Sequence, residues 1–153
     1  MAAADNAQIA EIRERLRTEA LSWVGTPFHH DQSLKGVGVD CARLIIEVYA
    51  AAGLLESYRP EYYPPDWFLH QDRERYLEEL DRHGFRRLHK GEVVNVGDIF
   101  GYRLGRCVAQ GGIFIGDSIV VMAIYGKRVE AIDPWQKPLA ERFAGAWRHP
   151  WLA

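Results

Sequence analysis

Among the 153 residues, the side chains able to do covalent or metal chemistry are few: two cysteines, Cys41 and Cys107, and six histidines. Cys41 has the most suggestive setting. It follows the glycine-punctuated run Gly36-Val37-Gly38-Val39-Asp40 and opens an apolar helical stretch. That puts its sulfur in the first turn of a helix, where unpaired backbone N–H groups and the helix dipole favour a thiolate. A cysteine so placed suits nucleophilic attack on a carbonyl, provided that a second group takes the thiol proton and returns it to the leaving group. The same position equally suits a small buried hydrophobe with Asp40 as a plain N-cap. Position alone leaves both readings open.

Other arrangements are excluded by number and spacing. Two cysteines cannot hold a metal cluster, and the adjacent His29-His30 cannot share a helical face as a ligand pair would, so no metal and no cofactor is expected. A structural disulfide is not expected in a chain with a core of this size. His70, His83, His89 and His149 fall at helix ends or surface turns, and Asp98 and Asp117 read as turn residues.

These groups must be positioned by an orderly series of elements. From Ala7 to Val24 the residues Ile9, Ile12, Leu16, Ala20 and Trp23 recur at helical spacing, and Gly25-Thr26-Pro27 stops them. Cys41 to Ala52 forms a second helix with Leu44, Ile45, Val48 and Tyr49 on one face. Tyr58 to Pro65, with three prolines and three tyrosines, is an extended connection on the surface. Asp72 to His83 is helical again, with Gly84 as its stop. β-Prone stretches follow at Ile99–Arg103, Val108–Ile115, Ile119–Ile124 and Arg128–Ile132, with a last strand over Arg142–Arg148. Helices first and an antiparallel meander second predict an α+β fold, the N-terminal helices covering one face of the sheet. The chain reads as a single domain over 7–153 behind a loose segment, Met1 to Asn6.

Composition narrows the partners. A net charge of −2 gives no electrostatic reason for nucleic acid to be one. No run approaches the eighteen or so apolar residues of a membrane span, and the N-terminus lacks a signal-peptide core.

The motifs carry a resemblance. Trp23-Val24-Gly25-Thr26-Pro27-Phe28-His29-His30 and Gly36 to Ile45 resemble the nucleophile region of the NlpC family of cysteine cell-wall peptidases, especially its phage-tail and gene-transfer-agent branch. The likeness continues through Tyr62-Tyr63-Pro64-Pro65-Asp66-Trp67, Leu69-His70, Val96-Gly97-Asp98 and Gly111-Gly112-Ile113-Phe114-Ile115-Gly116. It implies a papain-like fold with Cys41 as nucleophile and Asp40, His29, His30 and Gly111 as supporting or groove residues. It also implies a histidine immediately before the Gly-Gly-Ile-Phe-Ile-Gly strand, where this chain has Gln110. A second polar group, on the next strand, is replaced by Met122, and a tyrosine after the Thr-Pro pair by Phe28.

Glutamine cannot accept a proton at neutral pH, and general acid–base help contributes on the order of 10²–10⁴ in rate. The helix terminus, worth roughly 0.3–1 kcal/mol, leaves some thiolate but supplies no acid for the leaving amine. The resemblance therefore implies a phage-tail or tail-tip protein with lost or weak hydrolase activity. Such a protein would sit in the virion after assembly and in the host cytoplasm before it. Its partners would be other tail proteins and peptidoglycan stem peptide. The alternative is an active endopeptidase cleaving stem peptides through Cys41.

Overall fold

The structure, a computed structural model, describes residues 5–152. Its first helix, α1 (Asn6–Ser22), begins in a capping box. The Asp5 carboxylate accepts from the Gln8 amide at 2.8 Å, and the Gln8 side chain accepts from the Asp5 N–H at 2.9 Å. Asp5 and Asn6 thus belong to the helix start rather than to the expected loose segment 1–6, of which residues 1–4 lie outside the described residues. Leu16 and Ala20 are buried along the inner face of α1, and so is Trp23, which caps its C-terminus.

A short hairpin, β1 (Ser33–Leu34) with β2 (Gly38–Val39), lies inside what reads in sequence as a loop. It delivers the chain to α2 (Cys41–Ala51), which buries Leu44, Ile45, Ile46, Val48 and Tyr49. The helix expected over 72–83 is found as an eight-residue α4 (Arg75–Arg82), starting three residues later, and a one-turn α3 (Trp67–His70) precedes it. Residues 71–74 are engaged with the sheet and so cannot join them. The Cys107 thiol donates to the carbonyls of Gln71 and Arg73, and the Glu74 carboxylate accepts from the Val108 N–H at 2.9 Å.

Six antiparallel strands form the sheet: β3 (Arg86–Arg87), β4 (Ile99–Leu104), β5 (Cys107–Phe114), β6 (Val120–Ala123), β7 (Val129–Ile132) and β8 (Phe143–Arg148), in the order β3-β8-β4-β5-β6-β7. β4 to β7 are the expected meander. β8 does not extend it but returns to pair with β4, Ile99 facing Trp147.

The helices cover one face of the sheet, as expected for an α+β chain, and build a core from Leu16, Leu44, Val48, Tyr49, Ile99, Ile113 and Val121. The other face is covered as well. Phe100, Tyr102, Phe114, Val120, Met122 and Ala146 form a second cluster there, with Leu139 and Phe143 packed against it. Burial on both faces is why β5 and β6 read as nearly unbroken apolar runs without alternation.

Candidate active site

The loop and α2 place Cys41 by close packing and capping. A Cβ on Gly38 would lie 2.5 Å from Gln32 Oε1 and 2.7 Å from the His29 Cβ, so only glycine lets β2 pass there. Two residues on, Asp40 caps α2, its Oδ1 accepting from the Arg43 N–H at 2.9 Å. The other carboxylate oxygen accepts from the Asp31 N–H at 2.7 Å and from the Tyr63 hydroxyl. Asp40 is only 2% exposed, and the nearest imidazole nitrogen, His30 Nδ1, is 4.0 Å away.

Cys41 is the first residue of α2 and is half-buried. Its sulfur donates to the carbonyl of Ala109 at 3.2 Å. Ala109 is available because β5 bulges: Tyr102 pairs with Gln110 and Arg103 with Val108, leaving Ala109 without an opposite residue. The backbone N–H groups of Gly111, Ala42 and Cys41 itself lie close enough to favour a thiolate, yet they are outweighed. Burial first, and then the neighbouring Asp40 charge, push the Cys41 thiol up to about 12. Burial and the Asp40 charge thus oppose the thiolate expected from the helix terminus. A helix end supplies less than the loss of water takes away.

A cavity of about 120 Å³ opens beside the sulfur, between α2, α4, the strand ends and the 58–67 connection. Phe28, His30, Asp40, Cys41 and Gln110 all line it. His29 does not, being exposed on the loop. Gln110 is buried on β5, but the atom of that strand meeting the sulfur is the carbonyl of the residue before it. Phe28 stacks edge-on with Tyr125 at 5.3 Å, making an apolar wall.

Met122 is not in the site. It pairs with Gly112 and lies fully buried in the second cluster, on the face of the sheet away from Cys41. Its neighbour Ala123 lines the cavity instead. The sequence placed Met122 one residue out of phase, because a strand apolar on both faces offers no alternation to fix the side.

Cys107 turns its thiol to the backbone of residues 71 and 73, and both cysteines are free. Among the described residues no group of three or more His, Cys, Asp or Glu side chains could hold a metal ion. His149, expected at a surface turn, is buried. It accepts from the Trp151 N–H at Nδ1 and donates from Nε2 to the Leu54 carbonyl, and burial lowers its pKa to about 4.

Two features escaped the sequence. The 58–67 connection is not merely packed on the surface: Tyr63 reaches Asp40, His30 Nε2 meets the Tyr63 carbonyl at 2.9 Å, and Tyr58 is held by Glu79 and His83. It closes the cavity over Cys41. The other is Tyr76 of α4, which helical periodicity marks only as an apolar position, yet which lines the cavity and packs its hydroxyl onto Gly111. Among the described residues no helix is long and apolar enough to cross a membrane.

No protein-family model matches the sequence, and no curated protein does. Solved structures do match. An NLP/P60-family protein from Staphylococcus aureus, described as similar to a lipoprotein, superposes with a TM-score of 0.65 at 19% identity, over 97% of this chain and 43% of that one. The peptidoglycan hydrolase RipB from Mycobacterium tuberculosis gives 0.63 at 16% identity, over 95% and 68%. An NlpC/P60-family protein from Bacillus cereus gives 0.61 at 19% identity, over 90% and 40%. The chain spans less than half the length of the first structures it matches. It has the papain-like NlpC/P60 fold.

Proposed function

We propose that this chain is a phage-tail or tail-tip component that keeps the NlpC/P60 fold as a binding scaffold and has lost, or nearly lost, hydrolase activity. The observation carrying the loss of activity is the partner of the nucleophile. The Cys41 thiol meets a backbone carbonyl, Ala109 O at 3.2 Å, and among the described residues its hydrogen bonds include none to an imidazole. A carbonyl can hold a thiol proton but cannot remove it, and no group able to take that proton and return it to a leaving amine is hydrogen-bonded to the sulfur among the described residues. The tail setting rests on the likeness of the Trp23–His30, Gly36–Ile45 and Tyr62–Trp67 motifs. In that setting the cavity would hold stem peptide or a segment of a neighbouring tail protein.

The test is to incubate the protein with stem tetrapeptide beside a Cys41→Ala control and follow new amines. No turnover is expected in either; cleavage lost in the control would overturn the proposal. Gln110→His is expected to lower the pH midpoint of Cys41 alkylation. An unchanged midpoint would count against Gln110 as the residue standing in the histidine's place.

A second reading, an active endopeptidase, is favoured by one observation: His30 shares the cavity with Cys41 and lies 4.0 Å from Asp40. It requires His30 to swing to the sulfur, so turnover abolished by His30→Gln would establish it.

A further inference from the structure

Between Leu54 and Trp67, both buried, the chain runs along the cavity beside Cys41 without burying one side chain: every residue from Leu55 to Asp66 is exposed or half-buried. Tyr58, Pro60, Glu61 and Tyr63 line the cavity from this side. Among the described residues, none from Leu55 to Tyr63 takes part in a backbone–backbone hydrogen bond.

Side chains alone hold the segment down. The Tyr63 hydroxyl donates to Asp40, and His30 Nε2 meets the Tyr63 carbonyl at 2.9 Å, its ring edge-on to the tyrosine at 4.8 Å. Tyr58 donates to Glu79 of α4. Arg59 reaches Asp31 at 2.7 Å, with its own side chain 73% exposed. Such a polar tie exchanges one partner for water when it breaks, and an exposed ion pair contributes little. A segment held this way opens at far less cost than an element that buries apolar surface. The two ends are fixed otherwise. Gly53 turns the chain out of α2 at a φ of +79°, ahead of buried Leu54, and Trp67 and Phe68 are buried at the start of α3.

We propose that Glu56 to Asp66 is a lid over the cavity, hinged beside Gly53 and Trp67 and latched by the Tyr63 hydroxyl on Asp40, so that anything as large as a dipeptide reaches the Cys41 sulfur only after the latch lets go. Pro60, Pro64 and Pro65 stiffen the span, which lifts as one flap. Closed, the lid gives the Asp40 carboxylate its third donor, after the Asp31 and Arg43 amides. Lifted, it leaves that place to water.

Labelling with a small and a bulky reagent of the same chemistry, N-methylmaleimide and fluorescein maleimide, tests this on the full chain and on Tyr63→Phe, with the labelled cysteine identified by mass mapping. Both reagents are attacked by the same thiolate, so the bulky-to-small ratio of rates at Cys41 cancels any change in its ionisation and reports access. In Tyr63→Phe that ratio should rise about three- to tenfold, as for the loss of one hydrogen bond. Tyr58→Phe, which frees the lid near its Gly53 hinge, should raise it less. Cys107, buried on β5, is the control, and its labelling should not change. An unchanged ratio in Tyr63→Phe, a bulky reagent already as fast as the small one in the wild type, or an equal rise at Cys107, the sign of a fold loosened throughout, would each overturn the lid. Neither reagent depends on turnover, so the lid and the loss of hydrolysis stand or fall separately.

Discussion

Two carboxylates lie almost wholly buried in this molecule, and they are used in opposite ways. Asp98, fully buried where β4 begins, meets Arg148 of β8 in a two-pronged pair, Nε to Oδ1 and Nη2 to Oδ2, each at 2.8 Å; Oδ2 also accepts from the Asn95 N–H. Asp40, 2% exposed, has only neutral donors: two backbone amides and a tyrosine hydroxyl. The first charge is matched by its own partner and fastens two strands. The second is well solvated by hydrogen bonds but not neutralised, so its field acts on the next residue, Cys41. The lesson is that hydrogen-bond satisfaction and charge compensation are separate quantities, and a site can have one without the other.

The largest expected effect comes from breaking the compensated carboxylate. Asp98→Asn leaves the Arg148 guanidinium only Glu92, 3.6 Å away, and the Val93 carbonyl, and should cost about 3 kcal/mol. That is a drop on the order of 10 °C in Tm at ~2–4 °C per kcal/mol, read by thermal denaturation. The pH profile of Cys41 alkylation should not move; a shift there would mean that the two regions are coupled.

Asp40→Asn should behave in reverse. The N-cap survives and the stability loss stays at about 1–3 kcal/mol, but the alkylation midpoint of Cys41 should fall. Each unit of fall multiplies the thiolate present at a fixed pH about tenfold. A midpoint that stays near 12 would show burial alone to be responsible.

Smaller again is the alkaline limb of stability. The Cys41 thiol titrates at about 12 when folded and at about 8.5 when unfolded. Its contribution is therefore fully present below the unfolded value and lost as pH rises toward the folded one, because the unfolded chain releases its proton first. Cys41→Ala should flatten the loss of stability between about pH 8.5 and 12 by one proton's worth in pH-dependent urea melts. A limb as steep as the wild type's would place the thiol in water.

The smallest effect is that of His30→Gln. With the imidazole 4.0 Å from Asp40 and not bonded to the sulfur, the Cys41 midpoint should move by no more than a few tenths of a unit.

Much of the frame is legible in the sequence because local rules dictate it. The spacing of Leu16, Ala20 and Trp23, and of Leu44, Ile45, Val48 and Tyr49, marks the faces that α1 and α2 bury, and Asp40 before an apolar helix marks the cap that sets Cys41. The site is less legible because its deciding terms are tertiary. Whether a thiol at a helix start ionises depends on what covers it, and Tyr63 arrives from 22 positions down the chain, counting from Cys41. Met122 reads as a site position only until the second cluster shows that β6 is buried on both faces. The bulge that offers Ala109 to the sulfur, and the fit of Tyr76 over Gly111, arise from how strands and helices meet, which one-dimensional spacing does not encode.

The return of β8 to the side of β4 has a consequence for biosynthesis. Arg148 follows Asp98 by 50 residues, so the β4–β7 hairpins can emerge from the ribosome and pair while the free edge of β4 still waits for its neighbour. Throughout that interval an apolar strand, greasy on both faces, offers unpaired backbone to any other nascent chain. Slow translation between residues 104 and 143 would prolong the exposure, and the arrival of Arg148 at Asp98 would end it.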